Sequence, residues 1–207
     1  MTLVHLVRHA DHDYVGRGLA GRMAVPLNEG GRAQAERLAR RLSRERVTSV
    51  WASPLRRTVE TAEPVARALG LPLQTDDALQ EVEFGAWTGR SFAELEDDPD
   101  WRHWNASRSL HRPPGGESMT EVQARMVGFI NRLAREGQGG PDGAHVLVGH
   151  ADPIRAALAY YLGVPLDLFL RIEVSPASIS VLALDSWGPR VLRVNGTLDD
   201  GSIAPAP

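Results

Sequence analysis

The stretch Leu3–Asp13, LVHLVRHADHD, sets an apolar run directly against a cluster of charge and imidazole. Leu3, Val4, Leu6 and Val7 around a single His5 read as a buried strand over Thr2–Val7. Arg8, His9, Asp11, His12 and Asp13 follow at once. Two further apolar strands end in the same way. Val47–Ala52 runs into SPLRRTVETA, and HVLVGH runs into ADPIR. In open α/β sheets, ligands bind at the carboxyl ends of strands. A parallel arrangement would therefore gather Arg8, His9, Arg57 and His150 at one edge. Two guanidinium forks and two imidazoles there suit an anion with several oxygens, because the fork geometry matches phosphate and each bond is charge-assisted.

The elements between these strands support that arrangement. Leu27–Arg44 carries Ala35, Leu38, Ala39 and Leu42 at helical spacing, with Asn28 as its cap. Pro54–Leu69 reads as a helix opened by Ser53 and closed by Gly70, and Pro64 inside it predicts a kink. Glu117–Glu136 is amphipathic, with Val122, Met126, Phe129, Ile130 and Leu133 on one face. EGQGGPDGA is a turn, Pro153–Leu162 a helix, and ASISVLAL and PRVLRVN a final pair of strands. Helix starts at Ser53 and Asp152 would add backbone donors for an anion. Strands alternating with helices predict an α/β fold, a three-layer α/β/α sandwich with a mostly parallel central sheet. The whole of 1–207 reads as a single domain, with an inserted helical and loop region at about 76–116 and a loose tail at about 196–207.

Composition excludes several function classes. The net charge is -3, so bulk charge points to neither nucleic acid nor an anionic membrane. All 23 basic residues are Arg. There is no Cys, hence no disulfide framework and no thiolate chemistry. No apolar run is long enough to span a bilayer and no signal segment is evident, so the expected location is cytoplasmic.

LVRHA, SPLRRTVETA, LQEVEFGAWTG, PPGGES and VLVGHADPIRAAL, in this order and spacing, resemble the histidine phosphatase superfamily, the phosphoglycerate-mutase-like fold. The resemblance runs from about Leu3 to about Pro165. It implies that His9 is the phosphorylated histidine and that Arg8, Arg57 and His150 form the phosphate pocket. It also implies that Glu81 is the proton donor, and that no metal and no other cofactor is used. The expected activity is hydrolysis of a small-molecule phosphate monoester through a phosphohistidine. A homodimer is left open. The chain departs from the family pattern at Ala10, Val15 and Ala20, and at Ala151 and Asp152, where a Gly-Gly pair is common.

Other readings stand beside this one. Glu83 lies two residues from Glu81 and could supply the carboxylate, although the spacing to Gly85 and Gly89 favours Glu81. Only one of Arg56 and Arg57 can face the pocket. Arg102, His103, Arg108, His111 and Arg112 form either a solvated face or a site for a charged substrate tail, and a Trp of the insert could line the mouth. HADHD suggests a metallohydrolase, but its HxHxDH signature would need a His where Val7 stands. A cofactor-dependent phosphoglycerate mutase is disfavoured by Val82 after Glu81 and by the acidic segment Ser91–Asp100. The remaining alternative is an inactive phosphate-binding or regulatory module.

Overall fold

Side chains alternate along β1 (Thr2–Arg8), so Val4 and Leu6 enter one apolar cluster and Val7 enters another. A strand buried on both faces belongs at the centre of a covered sheet. The computed structural model, which describes residues 1–136 and 143–197, places it there. The sheet also contains β2 (Val47–Ala52), β3 (Leu73–Thr75), β4 (Ala144–Gly149), β5 (Ile179–Asp185) and β6 (Gly188–Gly196), in the order β3-β2-β4-β1-β5-β6. β3, β2, β4 and β1 are parallel; β5 and β6 are antiparallel additions at one edge. The turn expected between Glu136 and Ala144, and the tail beyond Thr197, lie outside the described residues.

Helices cover both faces, as expected for a three-layer sandwich. Leu38 and Leu42 of α1 (Glu29–Leu42) and Ala62 and Val65 of α2 (Arg56–Leu69) pack on Val7, Val50, Val146 and Val148. Met126, Phe129 and Ile130 of α5 (Met119–Glu136), with Ile154 and Leu158 of α6 (Ala151–Leu162), pack on Val4, Leu6 and Leu147. Each such buried aliphatic or aromatic side chain contributes roughly 1.5–3 kcal/mol. Asn28 caps α1 as expected, its Oδ1 accepting from Gly31 N at 2.7 Å. Helix α2 starts two residues later than the Ser53–Pro54 signal implies and runs on through Pro64 to Gly70. Leu55 occupies its cap position with no side-chain bond. Ser53 is used elsewhere: its carbonyl accepts from Thr58 Oγ1 at 2.8 Å, and its hydroxyl meets His150. No helix among the described residues is long and apolar enough to cross a membrane.

The insert consists of short helices, α3 (Phe92–Leu95) and α4 (Pro99–Ala106), with two 3-10 turns at Asp77–Leu79 and Gly85–Trp87. Its acids serve local structure. Glu94 closes a capping box with Ser91, while Asp98 caps α4 and pairs with Arg90 at 3.1 Å. The PPGGES loop is pressed against this region. A Cβ on Gly85 (φ +52) would lie 2.1 Å from the Pro114 carbonyl, and one on Gly116 would lie 2.2 Å from that of Glu83.

Candidate active site

β2, β4 and β1 are neighbours in the sheet, so the three motif-bearing strand ends lie side by side. Arg8 is in register with Gly149; His9 N donates to Gly149 O at 2.9 Å, and Ser53 N to Val148 O at 2.9 Å. The chain thus leaves all three strands at one level, beneath a cavity of about 320 Å³. Arg8, His9, Arg57 and Glu81 line that cavity, together with His12 and residues of the insert.

His9 is buried at the floor. Its Nδ1 is 2.8 Å from the Ala10 carbonyl, an oxygen that can only accept, so the ring proton sits on Nδ1. Burial, then the charges of Arg57 and Arg8, hold the imidazole well below its usual pKa and therefore neutral. Its Nε2 consequently carries a lone pair. His12 stacks near it, with ring centroids 4.9 Å apart, and accepts from Tyr14 N through Nδ1 at 3.2 Å. Burial, with Arg57 and Arg8, pushes His12 down to about 4.

Arg57 is 1% exposed, whereas Arg56 points outward to Glu60 at 2.6 Å. The Arg57 guanidinium donates to Gly21 O at 2.6 Å, Met23 O at 3.1 Å and His150 Nδ1 at 3.1 Å. Arg8 donates to Val174 O at 2.7 Å. The Nε atoms of both arginines are buried without a partner. Burial, reinforced by Arg8, draws Arg57 down to about 10 against the pull of Glu81, so it stays cationic at neutral pH.

A guanidinium can only donate, so His150 Nδ1 accepts from Arg57, and Nε2–H donates to Ser53 Oγ at 2.9 Å. Burial and then Arg57 hold its pKa well below the usual value. The ring is neutral, fully buried, and stands 5.2 Å from that of His9 behind the cavity lining.

Glu81, rather than Glu83, reaches the cavity. Its Oε2 is 3.9 Å from His150 Nδ1, and its Oε1 accepts from Val82 N at 3.0 Å. Burial first, then the charge of Asp152, raises Glu81 to about 7. Glu83 instead pairs with Arg22 at 3.6 Å. The backbone of Glu81 is fixed by Arg22 Nε at 3.1 Å and Arg125 Nη2 at 3.3 Å, both arginines being tied to Glu117 of PPGGES.

Sequence reasoning missed one feature of the wall. Arg108, read above as part of either a solvated face or a site for a charged substrate tail, is 5% exposed and packs 3.6 Å over the Trp104 ring. It meets Asp152 at 2.7 Å, and Arg155 meets the same carboxylate at 3.1 Å. Burial opposes ionisation of Asp152, but Arg108 and Arg155 keep its pKa low. The departure from the family pattern expected at Asp152 was the available signal. Trp101 and Trp104 both line the cavity. The N-terminus of α6 borders it through Ala151 and Asp152, and the first turn of α2 through Arg57.

A pocket that sets a neutral imidazole beside two arginines and a carboxyl that titrates near neutrality suits transfer of a phosphoryl group. The profile of the histidine phosphatase superfamily (branch 1) matches residues 4–197, and the chain belongs to that family. Phosphoserine phosphatase 1 of Hydrogenobacter thermophilus is 34% identical over 207 residues, covering 98% of this chain and 96% of that protein. A probable phosphoglycerate mutase, GpmB of Yersinia pestis, is 32% identical over 184 residues, covering 87% of this chain and 84% of that protein. The structure of a mycobacterial glucosyl-3-phosphoglycerate phosphatase with VO3 superposes with a TM-score of 0.85 at 29% identity, covering 94% of this chain and 99% of that one.

Proposed function

We propose that this enzyme, a phosphatase of the histidine phosphatase superfamily, hydrolyses phosphate monoesters through a phosphohistidine on His9, without a metal. The observation that carries the reading is the Nδ1–H bond of His9 to the Ala10 carbonyl, which leaves Nε2 free to attack phosphorus. In the first step the Nε2–P bond forms and the P–O ester bond breaks. The departing alkoxide takes the proton of the Glu81 carboxyl. In the second step the Glu81 carboxylate takes a proton from water as its oxygen attacks phosphorus. The P–N bond breaks, inorganic phosphate leaves, and neutral His9 and protonated Glu81 are restored. Arg8 and Arg57, which line the cavity beside His9, hold the equatorial oxygens through their guanidinium N–H groups. His150, in neutral form, keeps Arg57 in place through Nδ1, while its Nε2–H is held by Ser53 Oγ.

The same reading treats 1–207 as a single domain acting in the cytoplasm on small-molecule esters. The continuous sheet supports the first point, and the net charge of -3 speaks against nucleic acid as a partner. The likeness to the probable mutase keeps a second reading open, interconversion of phosphoglycerates. Mutase and phosphatase turnover measured on one preparation separate the two. Hydrolysis of several monoesters in the presence of a chelator, with little phosphoglycerate interconversion even with a bisphosphate primer, supports the phosphatase reading. Interconversion that far exceeds hydrolysis overturns it.

A further inference from the structure

The cavity above His9 does not end at the insert. Phe92, Trp101 and Asn105 line both it and an adjoining surface groove of about 720 Å³. These three side chains form a wall common to the phosphate cavity and the groove. Phe92 and Trp101 stack along it, with centroids 6.3 Å apart and planes at 28°, and Phe92 remains 40% exposed. On the other side of the inner mouth Leu170 is 45% exposed. Apolar side chains left open around a reaction site mark where an apolar partner is to be covered.

The buried charges along this wall are already matched. Besides Arg8 and Arg57, the arginines lining the cavity and groove are Arg108, Arg155 and Arg102. Arg108 is 2.7 Å and Arg155 3.1 Å from Asp152, and Arg102 is 3.0 Å from Asp97. The one unpaired nitrogen of Arg108, Nε, is buried. Glu96 adds a further carboxylate to the groove wall. An acid group on the substrate beyond its phosphate would meet these carboxylates with Arg108 and Arg155 already held by Asp152 and only the exposed Arg102 able to turn to it.

Resting on the phosphatase reading above, we propose that the groove of Phe92 and Trp101 is the subsite for the alcohol half of the substrate. The preferred substrate is then a phosphate monoester with an extended, apolar or aromatic alcohol and no second anionic group. Stacking on Trp101 and Phe92 supplies the recognition that a carboxylate–arginine pair would supply for a compact acid.

The test uses alkyl esters of similar leaving-group basicity, so that chemistry and recognition are not confused: 2-(naphthyl)ethyl phosphate, ethyl phosphate and phosphoserine. The expected kcat/KM for the naphthylethyl ester is at least tenfold above the other two. With Trp101→Leu that advantage falls to about threefold or less, and Phe92→Ala, at an exposed position that does not endanger folding, reduces it in the same direction. Phosphoserine turned over as well as or better than the naphthylethyl ester overturns the inference, as does loss of rate by equal factors for all three esters in both variants. Phosphorylation of His9 is followed in the same samples. Compact acid esters that label His9 as readily sink only the subsite, whereas turnover without any label on His9 sinks the phosphatase reading itself.

Discussion

Glu81→Gln separates the two tasks assigned to that carboxyl. The change is isosteric and leaves an oxygen to accept from Val82 N. Glu81 is raised to about 7 by burial and by Asp152. Its acid form is therefore about half populated at pH 7, about one-tenth at pH 8 and about one-hundredth at pH 9. An alkyl phosphate, whose alkoxide must be protonated as it leaves, should lose about tenfold in kcat/KM for each pH unit above 7. Glu81→Gln should lose on the order of 10²–10⁴-fold with the same ester and show no such limb. For p-nitrophenyl phosphate the leaving group needs no proton, so kcat/KM, which reports the first step, should change by less than about tenfold. Its kcat should still fall, because Glu81 also activates the water that clears the phosphohistidine. The assay is steady-state hydrolysis of both esters by both proteins from pH 5.5 to 9. Titration of each substrate phosphate is common to wild type and variant and divides out. Equal losses in kcat/KM for the two esters would refute the acid role.

Other consequences are checked more briefly. Arg57→Ala should lower kcat/KM by on the order of a hundredfold or more, whereas Arg56→Ala, which removes only an exposed pair with Glu60, should stay within about threefold; similar effects at both positions would contradict the pocket described. Asp152→Asn should move the alkaline limb of the alkyl-ester profile to lower pH, because it removes a charge that raises Glu81; a limb that stays or moves up counts against that electrostatic link. His5, 1% exposed with both ring nitrogens unpaired, is lowered from 6.5 to about 4 by burial, then by His145 and Arg41. A depressed histidine stabilises the fold above its unfolded pKa, and that contribution is lost as pH falls from about 6.5 to about 4. Urea unfolding should therefore show wild type losing about 3 kcal/mol more than His5→Leu between pH 7 and 4, and parallel pH dependences would refute it.

Much of the fold is legible because its signals are local. An apolar run ending in Arg8–His9, an Asn28 cap ahead of a helical repeat, and a Gly70 stop each follow from a few adjacent residues. The order of the strands then brings Arg8, His9, Arg57 and His150 to one edge, since β2, β4 and β1 are neighbours. What escapes the sequence are pairings across long separations. Arg108 and Asp152 are 44 residues apart, and nothing in either segment announces the other. Ser53 looks like a helix cap from its neighbours, but its hydroxyl is bound to His150, 97 residues on. Burial and the charge of Arg57 keep His150 neutral, a state no spacing rule reveals. The acids of Ser91–Asp100 read as a repulsive patch, yet Glu94 and Asp98 are spent on capping helices. Spacing favours Glu81 over Glu83 in the sequence, and in the structure Arg22 takes the second.

The central claim is a covalent bond between phosphorus and His9 Nε2. Enzyme mixed with an excess of radiolabelled phosphate ester, quenched within the first turnovers and digested, should carry label stable to base and labile to acid, on the peptide containing His9. His9→Ala should retain its fold, take up no label and lose hydrolysis. Label on another residue, or hydrolysis by His9→Ala at near wild-type rate, would contradict the account.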